Sequence, residues 1–354
     1  MKILALNPGS TSTKISAFDN LYEFFTKTIR HSADELAQFS KIIDQYEFRK
    51  KVIIEELNNA NIALKSFDAV VGRGGLLKPI PGGVYKVNDL MIQDIRKEIL
   101  GEHASNLGGI LAKEIANEIN VNAFIVDPVV VDELDDIARI SGHPELPRIS
   151  IFHALNQKAV ARRFAREQNK DYHNLNLIVA HLGGGITVGA HHNGKVIDVN
   201  NGLDGEGPFS PERSGTLPVG ALVKLCFSRK YELHEVRKMI TGKGGLVAYL
   251  GTNDTALVER KILEGDEKAK LIFDAMLYQI AKEIGASATV LKGKVDAILI
   301  TGGIAHSTLV TNKITERVGF IAPVYVYPGE DEMKALAEGV YYALNNELPI
   351  LEYN

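Results

Sequence analysis

The sequence predicts a duplicated α/β protein, two halves each built on a sheet with helices packed against it. Two pairs of motifs carry that expectation. Asn7-Pro-Gly9 and His181-Leu-Gly183 each follow a short apolar run and lead into a second one, and they stand about half of the 354-residue chain apart. Asp68-Ala-Val-Val-Gly-Arg-Gly-Gly75 is echoed by Asp296-Ala-Ile-Leu-Ile-Thr-Gly-Gly303. Both of these read as a strand running into Gly-Gly. Two such halves facing each other would form a cleft, with strand ends carrying ligand-binding turns into it.

The elements follow in order. Ile3–Leu6 reads as a buried strand, Asn7–Ser10 as a tight turn, and Ser12–Phe18 as a returning strand. Residues 33–60 have helical spacing in Leu36, Phe39, Ile42, Ile43, Tyr46, Val52, Ile53 and Leu57. Phe67–Val71 is a strand. Asn88 or Asp89 caps a helix through Ile99. Another helix opens at His103–Asn106 and runs to about Ile119, and Ala123–Val126 is a strand ending on Asp127-Pro128. His143–Pro147 is a candidate linker, which sets the expected domains at 1–150 and 151–334. The C-terminal helix, about 335–354, is expected to pack back on the first.

In the second half, Ala154–Gln168 reads as an amphipathic helix, and Leu175–Ala180 and Ile186–Ala190 as strands. His192-Asn193-Gly194 is a hairpin turn. Asn200–Pro218 is a Gly- and Pro-rich loop. Residues 267–291 form a long helix, Val295–Ile300 and Val324–Tyr327 are strands, and Glu332–Asn345 is a closing helix.

Composition narrows the function. Apolar residues make up 45% and charged residues 24%, the balance of a soluble globular protein. A formal charge of −4 gives no electrostatic footprint for nucleic acid or for an anionic membrane. A single Cys226 excludes an intrachain disulfide framework and fits a reducing cytoplasm. Its apolar setting, Ala221–Phe227, suggests a buried, inert thiol. The start is too soon interrupted by Asn7-Pro8 for a signal peptide, and no apolar run is long enough to span a bilayer. Walker-type loops, Gly-x-Gly-x-x-Gly, His-Glu-x-x-His and Cys-x-x-Cys are all missing from the sequence.

What remains is a set of turns suited to phosphate. Asn7, Ser10, Thr11, Ser12, Thr13 and Lys14 surround the first bend as neutral donors plus one cation, and Gly9 lets a ligand approach the backbone. An ordinary polar hairpin turn accounts for the same residues. His181–Gly185 and Gly302-Gly303 are the other two turns. Arg73 and Arg213 stand in Gly-rich or Pro-rich loops, either as solvated surface residues or as cations for a phosphoryl group. Asp127 and Glu330 stand at strand ends, where Mg²⁺ could take a carboxylate. An Asp-Pro turn and a helix N-terminal acid explain them equally well.

Ile3–Lys14 and Leu177–Gly194 resemble the two signatures of the acetate kinase family of carboxylate kinases. The resemblance runs through the whole chain in order. It implies two ribonuclease-H-like, actin-like ATPase domains with an active-site cleft between them. It also implies ATP/ADP, Mg²⁺, and direct transfer of the γ-phosphoryl group to a short-chain carboxylic acid in a cytoplasmic homo-oligomer. Arg73, Asp127, His181, Arg213 and Glu330 are then the catalytic candidates. Asn7, Ser10, Ser12, Lys14, Gly183, Gly184, Gly185, Gly302, Gly303 and Ile304 are the nucleotide candidates, and Asn7, Asp127 and Glu330 the metal candidates. His153 matches a family histidine, and a role supporting the site from behind, or in packing, is preferred for it. His103 is one residue out of the family spacing, so a polar residue before a helix is preferred.

The sequence departs from acetate kinases where Gly74-Gly75-Leu76-Leu77 follow Arg73 and where Ala180 precedes the His-Leu-Gly turn. Small side chains at Gly74, Gly75 and Ala180 are expected to leave room for a longer acyl tail, at about 0.8 kcal/mol per buried methylene. With the short chain, this resembles a branch that acts on butyrate. Acetate, propionate or a branched acid are the nearest alternatives. An actin-like ATP-binding assembly protein, or a sugar kinase using Asp127 as base, are more distant ones.

Overall fold

The computed structural model describes residues 1–98 and 101–354. Its twelve strands are β1 (Lys2–Pro8), β2 (Ser12–Asp19), β3 (Tyr22–Arg30), β4 (Ala69–Arg73), β5 (Val84–Lys86), β6 (Asn122–Val126), β7 (Asn176–Leu182), β8 (Ile186–His192), β9 (Lys195–Val199), β10 (Ala297–Gly302), β11 (Val324–Pro328) and β12 (Ile350–Glu352). They form two sheets, ordered β12-β5-β6-β4-β1-β2-β3 and β11-β10-β7-β8-β9. Within the first, β6-β4-β1-β2-β3 has the order of the whole second sheet. In each, a three-strand antiparallel meander is extended by two parallel strands. The duplication read from the motifs is therefore a duplication of topology.

The match extends to single side chains. Asp68 Oδ2 accepts the Lys2 amide at 2.7 Å, and Asp296 Oδ2 accepts the Asn176 amide at 2.8 Å. Each aspartate precedes a parallel central strand and ties it to the start of the meander.

The chain divides into two units, Met1–Val131 with Asp331–Asn354, and Asp132–Glu330. The division falls earlier than the His143–Pro147 linker because segment 132–150 spends its hydrogen bonds on the second unit. The Asp135 amide donates to Ile197 O, and the Arg148 guanidinium reaches Asp198, Glu206 and Val199 O. In the first unit, helix Asn106–Ile119 covers one face of the sheet and helix Glu332–Leu344 the other. Gly72 and Gly108 allow backbone contact on the first face, since a Cβ on Gly72 would collide with Gly108 O. Gly339 does the same on the second, where a Cβ would stand 2.7 Å from Val126 Cγ1.

The second unit is layered by alternation. Leu177, Val179, Ala297 and Leu299 face Phe164 of helix Ala154–Glu167. Ile178, Ala180, Leu182, Ile298 and Ile300 face Phe273, Met276, Ile280 and Ile284 of helix Glu267–Val290. A period of two along each strand supplies both cores.

Several expectations shift. Residues 33–60 are not one helix but a short helix Ala33–Leu36, a 3₁₀ turn Ile42–Gln45 and a helix Tyr46–Asn59. Ser32 and Glu35 cap the first piece reciprocally. β3 carried no clear pattern, because it is a mostly exposed edge strand. Asn88 does cap its helix, accepting from the Met91 amide at 2.9 Å; the expected end at Ile99 lies outside the described residues. Helix Val219–Cys226 buries none of its residues, so Cys226 is exposed rather than buried. Among the described residues, no helix is long and apolar enough to cross a membrane.

One ion pair is deeply buried. Lys158 Nζ lies 2.7 Å from Glu133 Oε2 and also donates to Gly194 O, with side-chain exposures of 2% and 7%. Glu133 in turn accepts the Val196 amide. Lys158→Met removes the cation from this buried pair and is expected to cost about 3–5 kcal/mol. A urea titration should show the loss; an unchanged midpoint would contradict it.

Candidate active site

In the first unit, β1 carries Asn7 next to its last residue, Pro8, and turns through Gly9, whose amide donates to Ser12 O at 2.7 Å. Ser10 and Thr11 are exposed at the tip. Lys14, opposite Asn7 in the ladder, lines a separate cavity of about 280 Å³ with Phe18, Tyr22, Asp331 and Lys334. β4 ends at Arg73, whose guanidinium grips Glu332 in a two-pronged pair, Nη1 to Oε2 at 3.1 Å and Nη2 to Oε1 at 3.0 Å. Asn7 Nδ2 donates to the same Oε2 at 2.6 Å, and Asn7 Oδ1 lies 3.4 Å from Arg73 Nη1. Glu332 opens helix Glu332–Leu344. An acidic residue there complements the helix N-terminus, so the position alone reads as a capping preference. Sequence reasoning chose Glu330, two residues earlier, and missed Glu332.

Asp127 follows β6, buried, with φ of 37°. Its topological counterpart is the segment after β11 that leads to Glu330. His103 Nδ1 accepts the Ser105 amide at 3.2 Å and lies 2.7 Å from Ser105 Oγ. Burial first, and the Arg73 charge second, draw its pKa below the usual histidine value. His103 thus stands just before helix Asn106–Ile119, as expected, and is an electrostatic neighbour of Arg73.

In the second unit, β7 ends in the His181 turn. His181 is buried, and its Nδ1 lies 2.8 Å from Asn156 Oδ1. Its Nε2 has no hydrogen-bond partner among the described residues; Glu330 Oε1 is 3.4 Å away. His153 stacks on the ring at 3.8 Å between centroids and 12° between planes. So His153 packs directly against the His181 ring, which agrees with the supporting or packing role expected of it. Behind the pair runs a buried chain. His153 Nδ1 meets Thr187 Oγ1 at 2.9 Å, Thr187 Oγ1 accepts from Gln157 Nε2 at 2.9 Å, and Gln157 Oε1 meets His191 Nε2 at 3.1 Å. Tyr172 OH closes it on His191 Nδ1 at 2.8 Å. Burial above all, then Lys158 and Arg162, holds the His191 pKa well below its usual value, so His191 is neutral. With Nε2–H donated to Gln157, its Nδ1 accepts from the tyrosine. Asn156 and Gln157 were missed in sequence, although they lie three and four residues after His153 on one helix.

Arg213 is placed by its loop. Its amide donates to Ser210 Oγ at 3.1 Å, Ser210 Oγ donates to Gly184 O at 2.6 Å, and Arg213 Nη1 donates to Gly202 O. The guanidinium lies directly over Gly185, where a Cβ would overlap it. Gly183, Gly184, Gly303, Ile304, Glu212, Asn253 and Glu330 line one cavity of about 310 Å³. The second hairpin turn and the turn after β10 thus share a pocket. Gly302, at φ 92°, is bridged to Gly329 by paired backbone hydrogen bonds at 3.1 and 3.0 Å, which holds the Glu330 segment beside them.

The three small residues expected to widen an acyl site do something else. A Cβ on Gly74 would stand 2.5 Å from Pro128 Cβ, and one on Gly75 2.5 Å from Asn106 Oδ1. Ala180 is fully buried in the core against helix Glu267–Val290. These positions are small because neighbours press on them, not because space was left open.

The acetokinase family model matches residues 148–325. Over 352 residues, 99% of both chains, the sequence is 60% identical to butyrate kinase 2 of Clostridium acetobutylicum, and equally so to butyrate kinase 1 of that organism. The chain belongs to the acetokinase family. Among solved structures, the Porphyromonas gingivalis acetate kinase matches with a TM-score of 0.79 at 19% identity, covering 96% of this chain and 98% of that one. A Francisella tularensis propionate kinase matches at 0.75 and 19%, with the same coverage. The fold is thus shared with these two structures across that sequence distance.

Gly185→Ala tests the contact that seats Arg213. The collision is with a mobile side-chain end, so the variant should fold with nearly unchanged thermal stability. Its crystal structure should show the Arg213 guanidinium displaced from Gly202 O; an unmoved guanidinium would contradict the contact.

Proposed function

We propose that the protein is a butyrate kinase, which transfers the γ-phosphoryl group of ATP reversibly to butyrate, giving ADP and butyryl phosphate. The 60% identity to two butyrate kinases over 99% of their length carries the choice of substrate. The arginine, histidine and glycine-turn geometry supports the reaction class.

A carboxylate oxygen of butyrate attacks the γ-phosphorus, and the bond from that phosphorus to the β–γ bridging oxygen breaks. No proton is lost by the acceptor, which is already an anion at neutral pH, so no general base is needed. The residues have two tasks, positioning and charge neutralisation. Arg73 and Arg213 bind the acceptor carboxylate and the equatorial phosphoryl oxygens. The pairing of Arg73 with Glu332 supports this, since a guanidinium that grips one carboxylate at both oxygens can grip another. His181, whose Nδ1–H donates to Asn156 Oδ1, would donate from Nε2 to the transferring group when both ring nitrogens carry hydrogen. Asn7, Ser10, Ser12 and Lys14 serve the phosphates on the first unit. Gly183, Gly184 and Gly185 serve them on the second, where Gly302, Gly303 and Ile304 take the adenosine.

Mg²⁺ would be held by hard oxygen donors, of which the Asn7 side-chain oxygen near the end of β1 is one; the neighbouring Glu332 carboxylate is already taken up by Arg73 and the Asn7 N–H. Asp127 and Glu330 remain further candidates at equivalent strand ends. When bound, the ion neutralises charge on the phosphate oxygens.

We further propose a homo-oligomer in the cytoplasm. Val219, Val223 and Phe227 stand 71%, 49% and 84% exposed along and just beyond a helix that buries nothing, a face suited to a second copy. One free thiol suits a reducing compartment.

Acyl hydroxamate formation from ATP should be fastest with butyrate when acetate, propionate, isobutyrate and valerate are compared. A preference for acetate, or turnover only with sugars, would overturn the reading. Arg73→Ala and Arg213→Ala should each lower kcat by at least ~100-fold, the scale of a lost electrostatic stabiliser. Near-normal rates would remove those roles. Val223→Asp with Phe227→Asp should reduce the sedimenting mass; a species unchanged in mass would place any interface elsewhere.

A further inference from the structure

Arg49 is the largest fully buried side chain of the protein, and its charge has no described carboxylate partner. It lies on helix Tyr46–Asn59, with 0% of its surface exposed. All its acceptors are neutral. Nη1 donates to Gly9 O at 2.7 Å, Ser12 O at 3.0 Å and Thr13 Oγ1 at 3.1 Å. Nη2 donates to Ser10 O at 3.1 Å, and Gln45 Oε1 takes the rest at 2.7 and 3.0 Å. Three carbonyls of the first turn are thus drawn onto one guanidinium.

A buried cation is costly, and a carboxylate usually offsets it. Here burial alone accounts for a pKa drawn down to about 10, which still leaves the group charged at neutral pH. The neighbouring His31 adds no second charge. Its pKa is lowered by burial and then by Arg49, and its Nε2 takes the Thr13 hydroxyl at 2.9 Å.

The consequence lies on the other side of the turn. In a trans peptide the carbonyl of one residue and the amide of the next point in opposite directions. Gly9 O and Ser10 O aim at Arg49, so the amides of Ser10 and Thr11 aim away from it. Both residues are exposed, and neither amide has a protein acceptor among the described residues.

We propose that Arg49 is a positioning residue for phosphate. It fixes the first turn with the Ser10 and Thr11 amides presented as a pair, and its buried charge is completed by the polyphosphate of the bound nucleotide. This deepens the kinase reading and rests on it for the identity of the ligand. The site itself is defined by the anion chemistry, an unscreened cation behind two outward N–H groups.

Two measurements test it. In the wild-type protein, tripolyphosphate should shift the ¹⁵N–¹H signals of Ser10 and Thr11; unshifted signals overturn the proposal. Arg49→Lys keeps the charge but cannot hold three carbonyls. It should lower kcat/KM for ATP by about 10- to 100-fold, the cost of misplacing a binding group, while KM for butyrate stays within about two-fold. Equal losses toward both substrates, or none, would make Arg49 merely structural. Because the tripolyphosphate titration needs no turnover, it decides the clamp even if butyrate proves to be the wrong acid. Conversely, wild-type turnover of butyrate with unshifted turn amides removes the clamp and leaves the kinase standing.

Discussion

The hydrogen bond from the Lys2 amide to Asp68, repeated from Asn176 to Asp296, is the constraint on which the rest of the structure depends. It locks the start of a meander to the start of a parallel strand. Register along a ladder is then fixed, because a slip of one residue would turn every core side chain outward. With the register set, β1 finishes just past Asn7 and β4 at Arg73, and β7 finishes just past His181 and β10 at Gly302. The candidate site residues are thus strand ends whose positions follow from an aspartate at the opposite end of the strand.

The charges around those ends share one logic. Arg73 is neutralised by Glu332, Lys158 by Glu133, and Arg148 by Asp198 and Glu206. Arg49 is held by backbone carbonyls and neutral side chains instead, and Arg213 by Gly202 O with the Glu212 charge nearby. A cation satisfied only by dipoles keeps its field, whereas an ion pair largely cancels its own. In the proposed reaction, where a dianionic phosphoryl group passes between two anions, an uncancelled cation such as Arg49 adds its field to the direct contacts of Arg73 and Arg213.

Much of this was legible in the chain. The paired motifs exposed the duplication because they carry the strand ends and the register-setting aspartates. Arg73, His181 and Arg213 stood out because each interrupts a glycine-rich turn. Other residues gave no such signal. Arg49 looks like any solvated charge on an amphipathic helix, and only the packing of the first turn reveals its burial. Glu332 reads as a common helix-opening acid. Asn156, Gln157 and Thr187 are ordinary polar residues until the fold stacks His153 on His181. Gly74, Gly75 and Ala180 misled because smallness in sequence does not distinguish open space from close packing. Cys226 misled because an apolar helix need not be buried within one chain.

Central to the proposed chemistry is direct transfer, with catalysis by placement and charge rather than by a protein nucleophile. The stereochemistry at phosphorus tests that directly. With ATP made chiral at the γ-phosphorus by oxygen isotopes, a single in-line displacement onto butyrate inverts the configuration. Inversion in the butyryl phosphate is the expected result. Net retention would require two displacements through a phosphorylated enzyme and would contradict direct transfer.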